Sequence, residues 1–183
     1  MTDRHRAIGM YSGGLDSILA AKIIADEGIE VIALHLYNGF NGSLRRDIAR
    51  GPAERWSPEP SIIAGTERLG IQLRALDISD EFPDIMLKPR YGYGSGVNPC
   101  IDCRIFFLRK AREIMKTEQA AFIFTGEVLG QRPMSQHRNA LDLVARKSGL
   151  EGKLLRPLSA LLLEMTIPER EGMVVRSRLY GFS

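Results

Sequence analysis

A glycine-rich turn near the amino terminus constrains the fold of this chain more than any other feature. The turn, Ser-Gly-Gly-Leu-Asp-Ser at residues 12–17, lies between an apolar run at residues 7–11 and a helical pattern at residues 15–26. Glycines let backbone N–H groups approach an anion closely, and the positive end of the following helix attracts the same anion. The pattern therefore predicts a phosphate site. It is not a Walker A loop, because the turn lacks the Gly-Lys-Ser/Thr of that motif.

Each position of the turn is a candidate contact for a nucleotide. The serines add hydroxyl donors, and Asp16, which cannot hold phosphate directly, can orient a Mg²⁺ ion that does. An ordinary glycine-rich turn is the competing interpretation. Two glycines, two serines and an aspartate between a strand and a helix favour the phosphate site. The candidate nucleotide-binding residues are Ser12, Gly13, Gly14, Leu15, Asp16 and Ser17.

The same six residues resemble the PP-loop of the ATP pyrophosphatase superfamily, whose pattern is Ser-Gly-Gly-x-Asp-Ser. The resemblance implies an enzyme that uses ATP and Mg²⁺ to adenylate an acceptor and that releases pyrophosphate, with Asp16 as a catalytic and metal-orienting residue. It also implies that adenine lies at the end of the second strand, near Leu34 and His35. From the residues alone, a lone histidine in a strand is more simply a core side chain than a metal ligand.

The succession of predicted elements indicates an α/β fold. We expect a Rossmann-like, open, parallel five-stranded sheet flanked by helices, which is also the PP-loop type of fold that the resemblance implies. In the first helix one face carries the apolar residues Leu15, Ile18, Leu19, Ile23 and Ile24. The predicted strands span residues 7–11, 29–36, 71–78, 119–125 and 153–156, and the predicted helices span residues 15–26, 61–69, 100–115, 134–147 and 158–163.

Composition places the chain among ordinary globular proteins. Its 183 residues are 44% hydrophobic and 26% charged, with a formal net charge of +3. We expect one domain over residues 1–183. No apolar run approaches the roughly 20 residues of a membrane helix, and the first residues lack the apolar centre of a signal peptide. These features favour a cytoplasmic protein that does not enter a membrane.

Two stretches are irregular in pattern. The first, residues 38–60, holds one tryptophan and four arginines; a solvated loop and a surface for RNA backbone explain it about equally well. The second, residues 79–98, contains alternating glycines near its end, which are typical of a flexible connection or of a lid over the nucleotide. The side chains in question in the first stretch are Arg45, Arg46, Arg50, Arg55 and Trp56.

The only two cysteines, Cys100 and Cys103, lie at the predicted start of a helix after Pro99. The helix dipole and the neighbouring Arg104 are expected to lower the thiol pKa, which makes both cysteines catalytic candidates. Zinc needs about two more ligands, and a [4Fe–4S] cluster normally takes three or four cysteines. A cluster is therefore open but not favoured, and two structural cysteines are the remaining alternative.

Later segments carry a second resemblance. Residues 98–103 are similar to the Asn-Pro-x-x-x-Cys segment of the tRNA 2-thiouridylases, in which Cys103 matches a cysteine of sulfur transfer. Residues 125–131 with Ser135-Gln136, and residues 155–158, resemble segments of the tRNA 4-thiouridine synthetases. Through this match Gly126 and Gln131 are candidate nucleotide contacts.

Glu127 can be a base, a metal ligand or a surface acid. The candidate substrate contacts are Arg132, Gln136 and Arg138, although a solvated helix face explains the two arginines almost as well.

These segments are expected to meet at one place. Ligands of open parallel sheets bind at the carboxyl ends of the strands, where the strand order reverses. The turn after the first strand, the cysteine-bearing helix start and the turn after the fourth strand all belong to that edge.

The function that this combination implies is ATP-dependent sulfur transfer. A carbonyl oxygen, most simply of a tRNA base, attacks ATP, and a persulfide on Cys103 or Cys100 then displaces AMP. Sulfur would come from a donor such as a cysteine desulfurase or from sulfide. The alternatives are a small-molecule acceptor, in a ligase or a sulfur-inserting enzyme, and a nucleotide-binding module without chemistry. A homodimer is compatible with all three.

Overall fold

Five parallel strands form one open sheet in the computed structural model, which describes residues 5–39, 57–93 and 99–183. The predicted α/β fold with an open, five-stranded parallel sheet is thereby confirmed. The strands are β1 (Arg6–Met10), β2 (Glu30–Tyr37), β3 (Gln72–Asp77), β4 (Phe122–Phe124) and β5 (Leu154–Leu155).

Helices connect and flank the strands, and glycines end several of them. Gly70 and Gly149 adopt left-handed backbone conformations, with φ of +63° and +71°, directly after helices that the sequence predicts to stop there. Glycine reaches this conformation without the steric cost of a Cβ atom. The helices are α1 (Leu15–Asp26), α2 (Pro60–Leu69), α3 (Phe82–Leu87), α4 (Cys100–Thr117), α5 (Arg138–Ser148) and α6 (Ile167–Arg170).

The strand order is β3-β2-β1-β4-β5, so the direction of winding reverses beside β1. The chain moves from β1 outward to β2 and β3, and then returns to add β4 and β5 on the other side. The loops after β1 and β4 leave neighbouring strands in opposite directions and leave a crevice between them. This topology places the residue 12–17 turn and the residue 125–131 turn side by side.

Each strand distributes its side chains between two cores. In β4, Phe122 and Phe124 belong to a cluster with residues of α1 and α2, whereas Ile123 belongs to a cluster with residues of α4 and α5. This alternation follows from the two-residue period of a strand. Gly9 in β1 leaves room for the ring of Phe124, since a Cβ atom at position 9 would collide with that ring.

The first helix buries only part of the predicted apolar face: Ile23 and Ile24 are buried in the core, but the two leucines are not. Leu15 is 77% exposed and Leu19 is 37% exposed, whereas Ala20 and Ala21 are buried against the sheet. Small side chains permit the close approach of α1 to the strands. The predicted face is therefore confirmed at its isoleucines and wrong at its leucines, and Leu15 lies at the exposed start of the helix.

Three further expectations differ from the structure. Helix α5 begins at Arg138 rather than at residue 134, because the ring of His137 accepts a hydrogen bond from the Ala140 N–H (3.3 Å) and caps the helix. Helix α3 was not predicted within residues 79–98. The predicted helix at residues 158–163 is a single 3-10 turn at Ala160–Leu162.

Some predictions lie outside the described residues. The arginine and tryptophan side chains at positions 45–56 are among them, as are residues 94–98, which include most of the alternating glycines and Asn98. None of the helices in the described ranges combines the length and the apolar character that a bilayer crossing requires.

Candidate functional site

The residue 12–17 turn is held in shape by its own serines. Gly13 has a φ of +80°, and the hydroxyl of the buried Ser17 donates to the Gly14 carbonyl (2.8 Å) while accepting from the Ser12 N–H (3.3 Å). The Ser12 hydroxyl also donates to Ser17 Oγ (3.2 Å) and accepts from the Gly14 N–H (3.3 Å). Two of the predicted nucleotide contacts therefore also preorganise the turn.

The start of α1 is open to a ligand. Gly14 precedes the helix in an extended conformation, and no described side chain caps the first turn by a hydrogen bond. The first N–H groups of a helix have no partner within the helix, and they carry the positive end of its dipole. Ser12, Gly14 and Leu15 are exposed around this end. The open helix start therefore lies where the sequence predicts an anion site, and the anion itself stays a prediction.

The turn after β4 packs directly on this loop. A Cβ atom at position 126 would lie 2.6 Å from the carbonyl carbon and oxygen of Asp16 and 2.7 Å from the Ser17 nitrogen. These are backbone atoms that cannot move aside without distorting the loop. Gly126 is therefore required for the close approach of the two turns, a role that the sequence alone did not assign to it.

One hydrogen bond joins two of the predicted site residues across this junction. Gln131 Nε2 donates to Asp16 Oδ2 at 3.1 Å. Asp16 itself is half-buried. The structure thus brings together the predicted metal-orienting residue and the predicted nucleotide contact from the later segment.

Glu127, whose role the sequence left undecided, is a buried anchor between three elements. Its carboxylate pairs with Arg104 of α4 and, at 2.9 Å, with Arg156 after β5, and it accepts from the Thr125 hydroxyl at 3.1 Å. Glu127 and Arg156 are each only 6% exposed. This ion cluster ties the cysteine-bearing helix to the turn that contacts Asp16.

The two arginines of this cluster stay charged at neutral pH. Burial lowers the pKa of Arg104 and of Arg156 to about 10, and for Arg104 the positive charges of Arg132 and Arg156 lower it further. Two guanidinium groups around one carboxylate leave a net positive charge beneath the site. Sequence reasoning missed the cluster, because its members lie 23 and 29 positions from Glu127 and only the fold makes them neighbours.

For Cys103, the structure corrects the expectation of a low thiol pKa. Cys100 and Cys103 occupy the first turn of α4 and both are half-buried. The pKa of Cys103 is raised to about 11, first by burial and then by the negative charges of Cys100 and Asp102. Its backbone hydrogen bonding and Arg104 act in the opposite direction but do not prevail. Arg104 is instead engaged by Glu127.

Asp102, between the two cysteines, holds the segment before them. Its carboxylate accepts hydrogen bonds from the backbone N–H groups of Arg90 (3.1 Å) and Tyr91 (2.9 Å). Tyr91 packs against the core cluster of α4 and α5. The beginning of the predicted lid is therefore fixed to the cysteine turn, and its glycine-rich end lies outside the described residues.

The predicted adenine contacts lie inside the second strand. Leu34 and His35 are 0% and 3% exposed, and the strand continues to Tyr37. The Leu34 carbonyl accepts from the Tyr11 N–H, and His35 Nδ1 lies 2.9 Å from the Tyr11 carbonyl oxygen. Both residues fix the end of β1 to β2, and His35 is a core residue that supports the loop.

The predicted substrate contacts differ in accessibility. Arg132 is exposed above the ion cluster. Gln136 is only 3% exposed, and its backbone closes the turn through bonds with Gly130 and Arg132. Arg138 is exposed and donates to the Leu162 carbonyl at 2.7 Å. Of the three, Arg132 has a guanidinium that faces solvent beside the site.

The donor set fits Mg²⁺ in the way that nucleotide enzymes bind it. In the described part of the chain, no three His, Cys, Asp or Glu side chains gather as a metal site. Mg²⁺ in such enzymes takes one or two carboxylates together with substrate phosphates and water. Asp16 supplies one carboxylate at the mouth of the anion site, so it would hold the ion only together with the substrate.

Several curated proteins resemble this chain in sequence. The tRNA-specific 2-thiouridylase MnmA of Cutibacterium acnes is 33% identical over 103 residues, which are 54% of this chain and 27% of that protein. The protein of the same name from Xanthobacter autotrophicus is 28% identical over 167 residues, which are 87% of this chain and 41% of its own length. The chain thus spans well under half the length of these relatives.

A solved structure resembles the fold. It is a crystal structure described as a predicted subunit of tRNA methyltransferase from Methanocaldococcus jannaschii, with a TM-score of 0.51 and 14% identity. The match covers 84% of this chain and 69% of that one. At this identity the likeness concerns the arrangement of the sheet and helices.

A family model extends the sequence likeness from β1 to the middle of α5. The model that describes the tRNA methyl transferase HUP domain matches residues 5–143, which include the residue 12–17 loop, both cysteines and the residue 125–131 turn. These are the segments that converge at the carboxyl edge of the sheet. The chain therefore belongs to the tRNA methyl transferase HUP domain family.

Proposed function

We propose that this protein is an ATP-dependent, adenylating enzyme that thiolates RNA, with tRNA as the acceptor. One observation carries the proposal: the loop of the anion site, the Gly126 turn and the cysteine-bearing helix are locked together, by the Asp16–Gln131 bond on one side and the Arg104–Glu127 pair on the other. An anion site and two thiols therefore share one rigid edge. The names of the relatives support tRNA as the acceptor.

The first step would form an adenylated acceptor. The acceptor carbonyl oxygen attacks the α-phosphorus of ATP, the bond from that phosphorus to the bridging oxygen breaks, and pyrophosphate leaves. The N–H groups in the first turn of α1, which begins at Leu15, would face the phosphates and stabilise the charge that develops on them. Bound Mg²⁺ would supply further charge neutralisation, with Asp16 orienting it.

The second step would exchange oxygen for sulfur. The terminal sulfur of a persulfide on Cys103 attacks the activated carbon, a C–S bond forms, and the C–O bond to AMP breaks. The Cys100 thiolate then attacks Cys103 Sγ, which breaks the S–S bond and releases the thiolated base. The two cysteines remain as a disulfide, which an external thiol reduces, and a protein persulfide such as that of a cysteine desulfurase reloads Cys103.

The geometry places demands on this second step. Residues three apart on a helix have Cβ atoms about 5–6 Å from each other. A disulfide brings Cβ atoms to about 3.8 Å, so the first turn of α4 must adjust during turnover. Because the Cys103 pKa is about 11, the free protein holds this group as a thiol, and its activation belongs to the complex with sulfur donor or RNA.

Pyrophosphate release tests the proposal. Purified protein with ATP, Mg²⁺, a sulfane-sulfur donor and unmodified tRNA is expected to release pyrophosphate and to yield a thiolated nucleoside detectable by mass spectrometry. Asp16→Asn should abolish both products. Cys103→Ser should abolish the thiolated nucleoside and keep a first turnover of pyrophosphate.

Other outcomes would point elsewhere. Pyrophosphate that appears only with a small carbonyl compound, and not with RNA, would favour a small-molecule acceptor. ATP binding without any pyrophosphate or AMP, across both kinds of acceptor, would leave a nucleotide-binding module and would overturn the proposal.

A further inference from the structure

A strongly basic groove lies between α4 and α5, away from the cysteine end of α4. It encloses about 500 Å³ and is lined by five cations, one carboxylate and a glycine. The groove lies on the outer side of the two helices, whose inner sides pack in the core around Leu108 and Val144. The lining residues are Arg109, Arg112, Glu113, Lys116, Arg146, Lys147 and Gly149.

The charge of this groove is large compared with the net charge of the chain. Its side chains carry a formal net charge of +4, whereas the whole chain carries +3. The charges of all other residues therefore sum to about −1, so the groove holds a concentration of positive charge larger than that of the chain as a whole. Such a concentration focuses the field and raises the local concentration of anions.

Helix capping explains only part of this charge. Arg109 donates to the Lys147 carbonyl (3.0 Å) and Arg112 donates to the Ser148 carbonyl (3.1 Å), so both arginines satisfy the end of α5. The end of a helix is equivalent to roughly half a negative charge. Two arginines already exceed that amount.

The other three cations supply positive charge beyond what the capping of α5 uses. Lys116, Arg146 and Lys147 have no ion pair among the described residues, and all three are exposed. Glu113 is 67% exposed and faces Lys110 at 3.9 Å, so it offsets little of the groove's charge. Mutual repulsion among these groups is relieved when a polyanion binds.

The groove is aligned with the candidate site along one rigid helix. At a rise of about 1.5 Å per residue, Arg109 lies about 14 Å and Lys116 about 24 Å from Cys100 along α4. A mononucleotide at the site does not span this distance, but an RNA does. We propose that this groove, termed the α4/α5 basic groove, docks the phosphodiester backbone of the RNA whose base is presented to the cysteines. The inference rests on the proposed function.

A charge-neutralising variant tests the inference. Lys116→Gln/Arg146→Gln/Lys147→Gln removes the three cations that make no capping bond. A matched control, Lys22→Gln/Arg68→Gln/Arg170→Gln, removes the same charge from α1, α2 and α6. Binding of unmodified tRNA is measured by fluorescence anisotropy over a range of KCl concentrations.

The groove variant is expected to bind tRNA at least about tenfold more weakly at low salt, and its slope of log affinity against log salt should fall by about 2 to 3. The control should keep the wild-type slope within about 1, since it leaves the groove intact. Equal affinities and slopes for the two variants would overturn the inference, as would a wild-type protein that does not bind tRNA.

Two further measurements separate the alternatives. In the wild-type protein, tRNA should slow acetylation of Lys116 and Lys147 severalfold and leave Lys22 unaffected; uniform protection of all three would contradict the docking site. Binding to vesicles of equal parts phosphatidylserine and phosphatidylcholine is compared in parallel. If the groove variant loses binding to vesicles but not to tRNA, the groove is a membrane-binding surface and the RNA assignment is overturned.

The proposed function fails separately from this inference. If RNA still triggers pyrophosphate release but the groove variant binds RNA as tightly as the control variant, only the docking site is overturned. If RNA binding depends on the groove but no pyrophosphate is released, only the proposal of an adenylating enzyme is overturned.

Discussion

Gln131 Nε2 donates to Asp16 Oδ2 at 3.1 Å and so connects two residues that are 115 positions apart in the chain. The bond crosses the crevice where the strand order reverses, between the loop after β1 and the loop after β4. It orients the only carboxylate of the residue 12–17 turn. The later segment thereby controls the geometry of the earlier one, and the first prediction concerns this contact.

Gln131→Ala should weaken ATP binding about threefold to tenfold, because the orientation of Asp16 is lost. A hydrogen bond to a charged acceptor contributes about 1.5–3 kcal/mol, and solvent exposure reduces this amount. Stability should change by less than about 0.5 kcal/mol, since Gln131 is exposed. Isothermal calorimetry with ATP and Mg²⁺ measures the effect, and Asn139→Ala serves as an exposed control. An unchanged ATP affinity in Gln131→Ala would contradict the role assigned to the bond.

Gly126→Ala should impair both folding and nucleotide binding. The added methyl group would lie 2.6 Å from backbone atoms of Asp16, and overpacking of this kind costs about 1–3 kcal/mol. Gly14→Ala is the matched comparison. A Cβ atom at position 14 has only Ser12 Oγ nearby, at 3.4 Å, so this variant should keep its stability and lose ATP affinity. Urea unfolding and ATP titration of both variants distinguish the two roles, and equal stability losses would be inconsistent with them.

Glu127→Gln should destabilise the protein by about 3–5 kcal/mol, because it leaves two buried guanidinium groups without their carboxylate. The midpoint of urea unfolding reports the loss. Glu113→Gln, at an exposed position of α4, should cost less than about 1 kcal/mol. Adding Arg156→Gln to Glu127→Gln should recover part of the loss, since one unpaired charge is removed. Strictly additive losses would show that the Glu127–Arg156 pair is not coupled.

Alkylation of Cys103 should be slow at neutral pH and should rise steeply with pH. The folded protein holds the thiol pKa at about 11, above its ordinary value of 9.0, so the thiolate fraction stays small until strongly alkaline pH. Because the folded pKa is raised, this group's contribution to stability is complete below pH 9 and is lost as the pH approaches 11. Iodoacetamide rates at Cys103 in the wild-type protein, followed by mass spectrometry of the peptide and resolved from Cys100 by fragmentation, measure the profile. A plateau reached below pH 8 would refute the raised pKa.

The amino-acid sequence was sufficient for the sheet and for the position of the glycine-rich turn at its carboxyl edge. Alternating apolar runs, glycine stops and the Ser12–Ser17 pattern are local signals, because strand and helix periods and glycine conformations depend on neighbouring residues. The same local logic was only partly right in α1, where Ile23 and Ile24 are buried as predicted but Leu15 and Leu19 are exposed and two alanines are buried instead. Close packing of a helix on strands is set by the available space and not by hydrophobicity alone.

Tertiary structure decided the electrostatics. The helix start and Arg104 suggested a reactive thiolate, but burial and the charges of Cys100 and Asp102 raise the Cys103 pKa, and Glu127 engages Arg104. The basic groove likewise arises only where α4 and α5 pack side by side. A charge acts through space, and its effect depends on neighbours and burial that the order of residues does not reveal. The sequence by itself therefore determined which chemical groups this protein carries, and the fold determined which of them interact and in what state of charge.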